Sequence, residues 1–382
     1  MMRDYLNKKL AANPPSGIRR IGQMARSIPG CIALTIGEPD FDAPIEVRMR
    51  IAEAILSGET HYPPNAGYPE LRAQVAAHLN GRFGSDYAPE ETVVCVGSTQ
   101  ALFSALLAVL NPGDEVIVPT PCFGLYRPQI EMAGGVYVPM DVTGDRFSIT
   151  RENLAAHVTK RTRAILFASP NNPNGEVLDE ASLAVLKEAA LAHDLFLIAD
   201  SVYDRLVYGK SMPTLMGDAQ LRDRLIYVSA LSKSYAMTGV RVGYAAADAP
   251  VMAQMLKAHS FSVVSIPGCI QRGCEGVFDL PIDDMLSAYH ARRDYVVSRL
   301  DAMGLDVRLP GGAFYAYPSI ARFGLDAETF CDRLMHEHGL ALIPAECFGG
   351  TGHVRISYCY DMDTLKEGMN RLEAFIRRLS DE

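Results

Sequence analysis

Between residues 92 and 228 the chain alternates two textures, and this limits the folds open to it. Short apolar runs occur at 92–96, 115–118, 135–138, 164–167, 195–200 and 225–228. Helix-like stretches, including 99–110 and 183–193, lie between them, and Asn111-Pro112-Gly113-Asp114 breaks the first. The short runs do not alternate apolar with polar residues, as expected for strands covered on both faces. Strand–helix alternation of this kind predicts an α/β fold, a mainly parallel sheet flanked by helices.

The texture changes near Pro281. A long amphipathic helix is expected over 282–303, with Arg292 and Arg293 facing solvent. A helix over 327–338, a strand over 353–358 and a final helix over 362–379 follow. These elements predict a large domain over 46–284 and a smaller α+β domain formed by 1–45 with 285–382. The 382 residues, 48% hydrophobic and 21% charged, suffice for two cores without staples.

Charge and cysteine usage remove several function classes. The net charge is −9 and no cluster of Lys and Arg breaks it, which disfavours nucleic acid. The eight cysteines are scattered without a CxxC pair, which fits free thiols in a reducing cytoplasm and no metal site. The N-terminal stretch has Arg3, Asp4, Lys8 and Lys9 with no apolar segment after them, unlike a signal peptide. The longest apolar stretch, 101–110, is too short to span a bilayer.

The chemistry concentrates in Ser-Lys-Ser-Tyr-Ala-Met-Thr-Gly-Val-Arg-Val-Gly, residues 232–243. Lys233 falls at or just past a strand end, where open α/β sheets collect ligands. A lysine there suits Schiff-base capture of an aldehyde, and Arg241 offers a planar, permanently charged fork for a phosphate. Gly97-Ser98-Thr99-Gln100 opens a helix and is either an anion cup or a plain N-cap. Asp200 ends a very apolar run, where a carboxylate is costly unless paired. It suits a protonated ring nitrogen, or a loop cap. Tyr203, Asn172 and Phe123 are a donor, a turn residue and a stacking ring, or ordinary tyrosine, asparagine and phenylalanine. Arg355 is a charge inside a strand-like run, facing either a substrate carboxylate or a local Asp or Glu.

In order and spacing, these residues resemble the class I/II pyridoxal-phosphate aminotransferases of fold type I, the aspartate aminotransferase-like group. The resemblance runs from Leu34-Thr35-Ile36-Gly37-Glu38-Pro39-Asp40-Phe41 to the Arg355 strand. It includes the stretch from Tyr62 to Arg72, Asn172-Pro173-Asn174-Gly175, Asp200-Ser201-Val202-Tyr203 and the Lys233-to-Arg241 spacing of eight. It implies that Lys233 carries pyridoxal 5'-phosphate, with Asp200 on the ring nitrogen and Tyr203 and Asn172 on the phenolic oxygen. It places Phe123 on the ring, and Gly97, Ser98, Thr99, Ser232 and Arg241 around the phosphate. Gly37, Asn172 and Arg355 would receive the substrate carboxylate. Tyr62 would reach the phosphate in a neighbouring copy, implying a homodimer, and cis peptides are implied before Pro121 and Pro173.

Two positions depart from the pattern. Phe123 stands where several relatives carry tryptophan, and Ala230 where relatives often carry a small donor. The implied activity is ping-pong transamination between an L-amino acid and a 2-oxo acid. The segment 261–268 lacks an arginine for a second carboxylate, which favours a neutral or aromatic donor. The alternatives are a C–S β-lyase on the same fold, a ligand-sensing regulator, and an aldolase without pyridoxal phosphate. The absence of a helix-turn-helix segment and the acidic charge weigh against the regulator.

Overall fold

The computed structural model describes residues 6–13, 15–209 and 212–381; Arg3 and Asp4 lie outside them. Its strands, in chain order, are β1 Ile32–Ala33, β2 Thr92–Val96, β3 Glu115–Thr120, β4 Val136–Asp141, β5 Thr162–Ala168 and β6 Phe196–Asp200. They continue as β7 Leu225–Ala230, β8 Val242–Ala246, β9 Tyr315–Ala316, β10 Leu340–Ala341, β11 Ile343–Pro344 and β12 Val354–Ser357.

Seven strands form the central sheet in the order β2-β8-β7-β6-β5-β3-β4. The expected α/β architecture is present. Every pairing is parallel except those of β8, which runs antiparallel to β2 and β7. Both faces are covered, which explains the unbroken apolar runs. Val94, Ile117, Ile165, Leu197 and Tyr227 enter one apolar cluster. Their neighbours Cys95, Val116, Leu166, Ile198 and Val228 enter another, with Leu102 and Leu106 of the helix Gly97–Val109.

A third cluster gathers residues far apart in sequence. Ile21, Ala25 and Leu34 pack with Phe314, Phe330, Leu372 and Phe375. β1 pairs in parallel with β10, and β12 lies between β11 and β9. No helix among the described residues is long and apolar enough to cross a membrane.

The long helix spans Asp283–Ala302, but Arg292 and Arg293 do not face solvent; they are 9% and 8% exposed. Arg292 makes two bonds of 2.7 Å to the carboxylate of Asp40. Arg293 bonds Asp294 and the Pro310 carbonyl. Helical periodicity assigned these side chains from their own segment, whereas Asp40 comes from a stretch 252 residues earlier.

The cis peptides are Thr120–Pro121, as the resemblance implies, and Ser169–Pro170 rather than the bond before Pro173. β5 ends at Ala168, so this bond joins the first two residues of the loop. Asn172-Pro173 instead lies within a turn closed by the Gly175 amide on the Asn171 carbonyl at 2.9 Å.

Candidate active site

One edge of the central sheet gathers most of the candidate residues. Asp200 is the last residue of β6, and Lys233 lies in the short helix Leu231–Ser234 directly after β7. Phe123 follows β3, Asn172 follows β5, and Gly97 follows β2. Because β8 is antiparallel, Arg241 precedes it at this same edge. Carboxyl ends of parallel strands therefore deliver side chains from distant parts of the sequence to one crevice.

The Lys233 amine donates to the Gly37 carbonyl and lies 5.9 Å from the centre of the Phe314 ring. Burial pushes its pKa down to about 8, and the charges of Arg355 and Arg241 act in the same direction. A neutral, nucleophilic amine is thus available near physiological pH.

Asp200 is 5% exposed. Burial lifts its pKa to about 6, opposed by two hydrogen bonds. The Tyr126 hydroxyl donates at 2.7 Å and the Val202 amide at 3.2 Å. Among the described residues no cationic side chain is paired with Asp200. A buried carboxylate of this kind calls for a positive partner.

Arg355 is 2% exposed and, among the described residues, makes no ion pair with Asp or Glu. The choice left open by the sequence, between a local salt bridge and another anion, goes against the local carboxylate. Its Nη1 bonds Asn172 Oδ1 at 2.8 Å and its Nη2 bonds the Thr35 carbonyl. The rings of Tyr315 and Phe348 hold it at 4.5 and 4.8 Å, while Nε is buried without a partner. An orphaned N–H on a fixed guanidinium fits a carboxylate ligand.

The helix Gly97–Val109 begins immediately at the end of β2, with Ser98 and Thr99 part-buried in its first turn. A Cβ on Gly97 would stand 2.4 Å from Arg241 Nη2, so the glycine makes room for the guanidinium. A Cβ on Gly243 would stand 2.3 Å from the Gly97 carbonyl carbon and 2.6 Å from the Ser98 nitrogen. Arg241 itself has φ 62°, a left-handed conformation costing about 1–2 kcal/mol for a non-glycine residue. First-turn amides beside such an arginine make a phosphate cup.

Ser232 is buried next to Lys233, and Ser229 spends its hydroxyl on the Ser201 carbonyl at 3.0 Å. Phe123 is half-buried, edge-on to Tyr126 at 5.7 Å. Tyr203 is buried, with its hydroxyl 2.7 Å from that of Tyr315. Tyr62 stands apart, 89% exposed and without a side-chain hydrogen bond among the described residues.

Tyr126, Tyr315 and Gly243 were missed in the sequence. No local pattern in the sequence singled them out. A pyridoxal phosphate fits these residues. Lys233 could answer its aldehyde, Asp200 its ring nitrogen and the Gly97 turn with Arg241 its phosphate, which would leave Arg355 for a carboxylate.

Comparison with known proteins gives the same direction. The family described as aminotransferase class I and II matches residues 29–372. The putative aminotransferase YugH of Bacillus subtilis is 36% identical, over 99% of this chain and 100% of its own length. The structure of aspartate aminotransferase from Thermus thermophilus with maleate superposes with a TM-score of 0.92 at 33% identity, covering 97% of this chain and 99% of that one. The aromatic aminotransferase from Pyrococcus horikoshii superposes with a TM-score of 0.89 at 34% identity, covering 94% and 100%.

Proposed function

This chain belongs to the class I and II aminotransferases, pyridoxal-phosphate-dependent enzymes of fold type I, and from that premise we propose a ping-pong enzyme for neutral or aromatic L-amino acids. The observation that carries the reading is the meeting of a Lys233 amine at pKa about 8 with an unpaired Asp200 and a half-satisfied Arg355. Bound pyridoxal phosphate supplies an aldehyde for the lysine and a ring able to take up an electron pair from the substrate Cα.

The chain's own groups do the rest. Arg355 and Asn172 would hold the substrate carboxylate and so limit the orientations open to the Cα. The free Lys233 amine would act as the general base that takes the substrate Cα proton, and as the resulting ammonium would give that proton back. Asp200 keeps the ring nitrogen protonated, and Tyr126 holds that carboxylate in orientation. Tyr203 and Asn172 would donate to the phenolic oxygen, and Phe123 would cover the ring. Gly97, Ser98, Thr99, Ser232 and Arg241 would hold the phosphate.

The donor preference is supported by segment 261–268, which has no arginine, and by the 88% exposed ring of Phe261. The named relatives include aspartate and aromatic aminotransferases. We further propose a large domain over 46–284 and a small one over 1–45 with 285–382. Tyr62 and Phe261 extend from neighbouring segments joined by the Asn65–Ser260 bond of 2.7 Å, which supports a homodimer using this face.

Lys233→Ala tests the assignment. Turnover is expected to vanish, while cofactor and substrate carboxylate still bind. A variant that transaminates at the wild-type rate removes Lys233 from the chemistry.

A further inference from the structure

We propose that Tyr315 is a positioning residue, whose hydroxyl fixes the direction in which Tyr203 donates its proton. The inference rests on the reading of Tyr203 as a donor to the cofactor's phenolic oxygen.

The two hydroxyl oxygens are 2.7 Å apart, and both residues are buried, at 4% and 2% exposure. Two hydroxyls at this distance share one proton line. Whichever accepts keeps its own proton for a third group. Among the described residues neither hydroxyl has another hydrogen-bond partner.

The surroundings decide between them. The Tyr315 hydroxyl abuts Gly37, where a Cβ would fall 1.8 Å from it. That side presents a Cα, which accepts nothing. The Tyr315 ring is held by the Arg355 guanidinium at 4.5 Å and the Phe314 ring at 5.0 Å, and its backbone pairs with Ser357. Its proton therefore goes to Tyr203. Tyr203 accepts it and is left with its own proton to give. Donation in series polarises the second hydroxyl and strengthens the second bond. Gly37 thereby has a role besides the substrate carboxylate: its missing side chain is the space the Tyr315 hydroxyl fills.

The test is a pH titration of the near-visible absorbance of the cofactor-loaded enzyme without substrate. A donor to the phenolic oxygen favours its deprotonated form, so losing donation moves the absorbance transition to higher pH. Tyr203→Phe is expected to raise it. Tyr315→Phe, which keeps the ring beneath Arg355, is expected to raise it by roughly a few tenths of a pH unit, less than Tyr203→Phe does, because it removes the polarisation of the Tyr203 bond and not the bond itself. The double variant should match Tyr203→Phe alone, because Tyr315 acts only through Tyr203. Gly37→Ala, which displaces the hydroxyl from another residue, should move the transition in the same direction.

A Tyr315→Phe enzyme with an unmoved transition overturns the inference. So does a shift that adds in full to that of Tyr203→Phe. If Tyr203→Phe itself leaves the transition in place, the reading of Tyr203 fails and the inference fails with it.

Discussion

Lys233 combines burial with reactivity, and its pH behaviour follows from that. A folded-state pKa lowered to about 8 from 10.5 means the neutral amine dominates above pH 8. Cofactor uptake by the stripped protein should therefore speed up with rising pH and level off above about 8. Stopped-flow absorbance would show it; a rate still climbing at pH 10 would mean an ordinary, exposed lysine. At this scale the sequence was informative wherever a charge interrupted an apolar run. Asp200 at the end of a strand and Arg355 within one both announced themselves this way. Tyr126 and Tyr315 did not, because tyrosines are common in cores and their partners lie 74 and 112 residues away.

The critical element contact is between β8 and the start of the helix Gly97–Val109. Gly243 lets the strand lie against Gly97 and Ser98, the turn proposed above as the phosphate cup. Gly243→Ala would force a methyl group into backbone, and overpacking of this kind costs about 1–3 kcal/mol. The expected result is weaker binding of pyridoxal phosphate, by roughly tenfold or more, with a smaller loss for unphosphorylated pyridoxal. Equal losses for both would place the damage outside the phosphate cup. The parallel strands were legible from their apolar runs and the breaks between them. β8, Val242–Ala246, was not read as a strand; it follows directly on Arg241, which enters it from a left-handed conformation. The cis bond before Pro173 was implied by the resemblance alone, and in a loop with prolines at 170 and 173 nothing in the residues themselves distinguished the two.

Across the whole molecule, the segment from Leu34 to Asp42 ties distant parts together at the site. It gives the Thr35 carbonyl to Arg355, the Gly37 carbonyl to Lys233, the Glu38 carboxylate to Thr238 and the Asp40 carboxylate to Arg292. None of these ties is local, so no pattern within the segment revealed them. Arg292→Met should destabilise the protein by on the order of 2 kcal/mol, less than a fully buried pair because the Asp40 side chain is 27% exposed. Urea unfolding would measure it. It should also raise KM through the displaced Gly37, whereas a change in stability alone would mean the segment holds its place without this pair.

Lys233, Asp200 and Arg355 are proposed to act together in transferring an amino group. The direct measurement is an anaerobic half-reaction: cofactor-loaded protein mixed with single amino acids and no 2-oxo acid, followed by absorbance. The account predicts that the cofactor's near-visible band gives way to that of its aminated form, one 2-oxo acid appearing per site, fastest with neutral or aromatic donors. A band that persists while pyruvate and ammonia accumulate from a β-substituted amino acid would contradict transamination and make the protein a lyase.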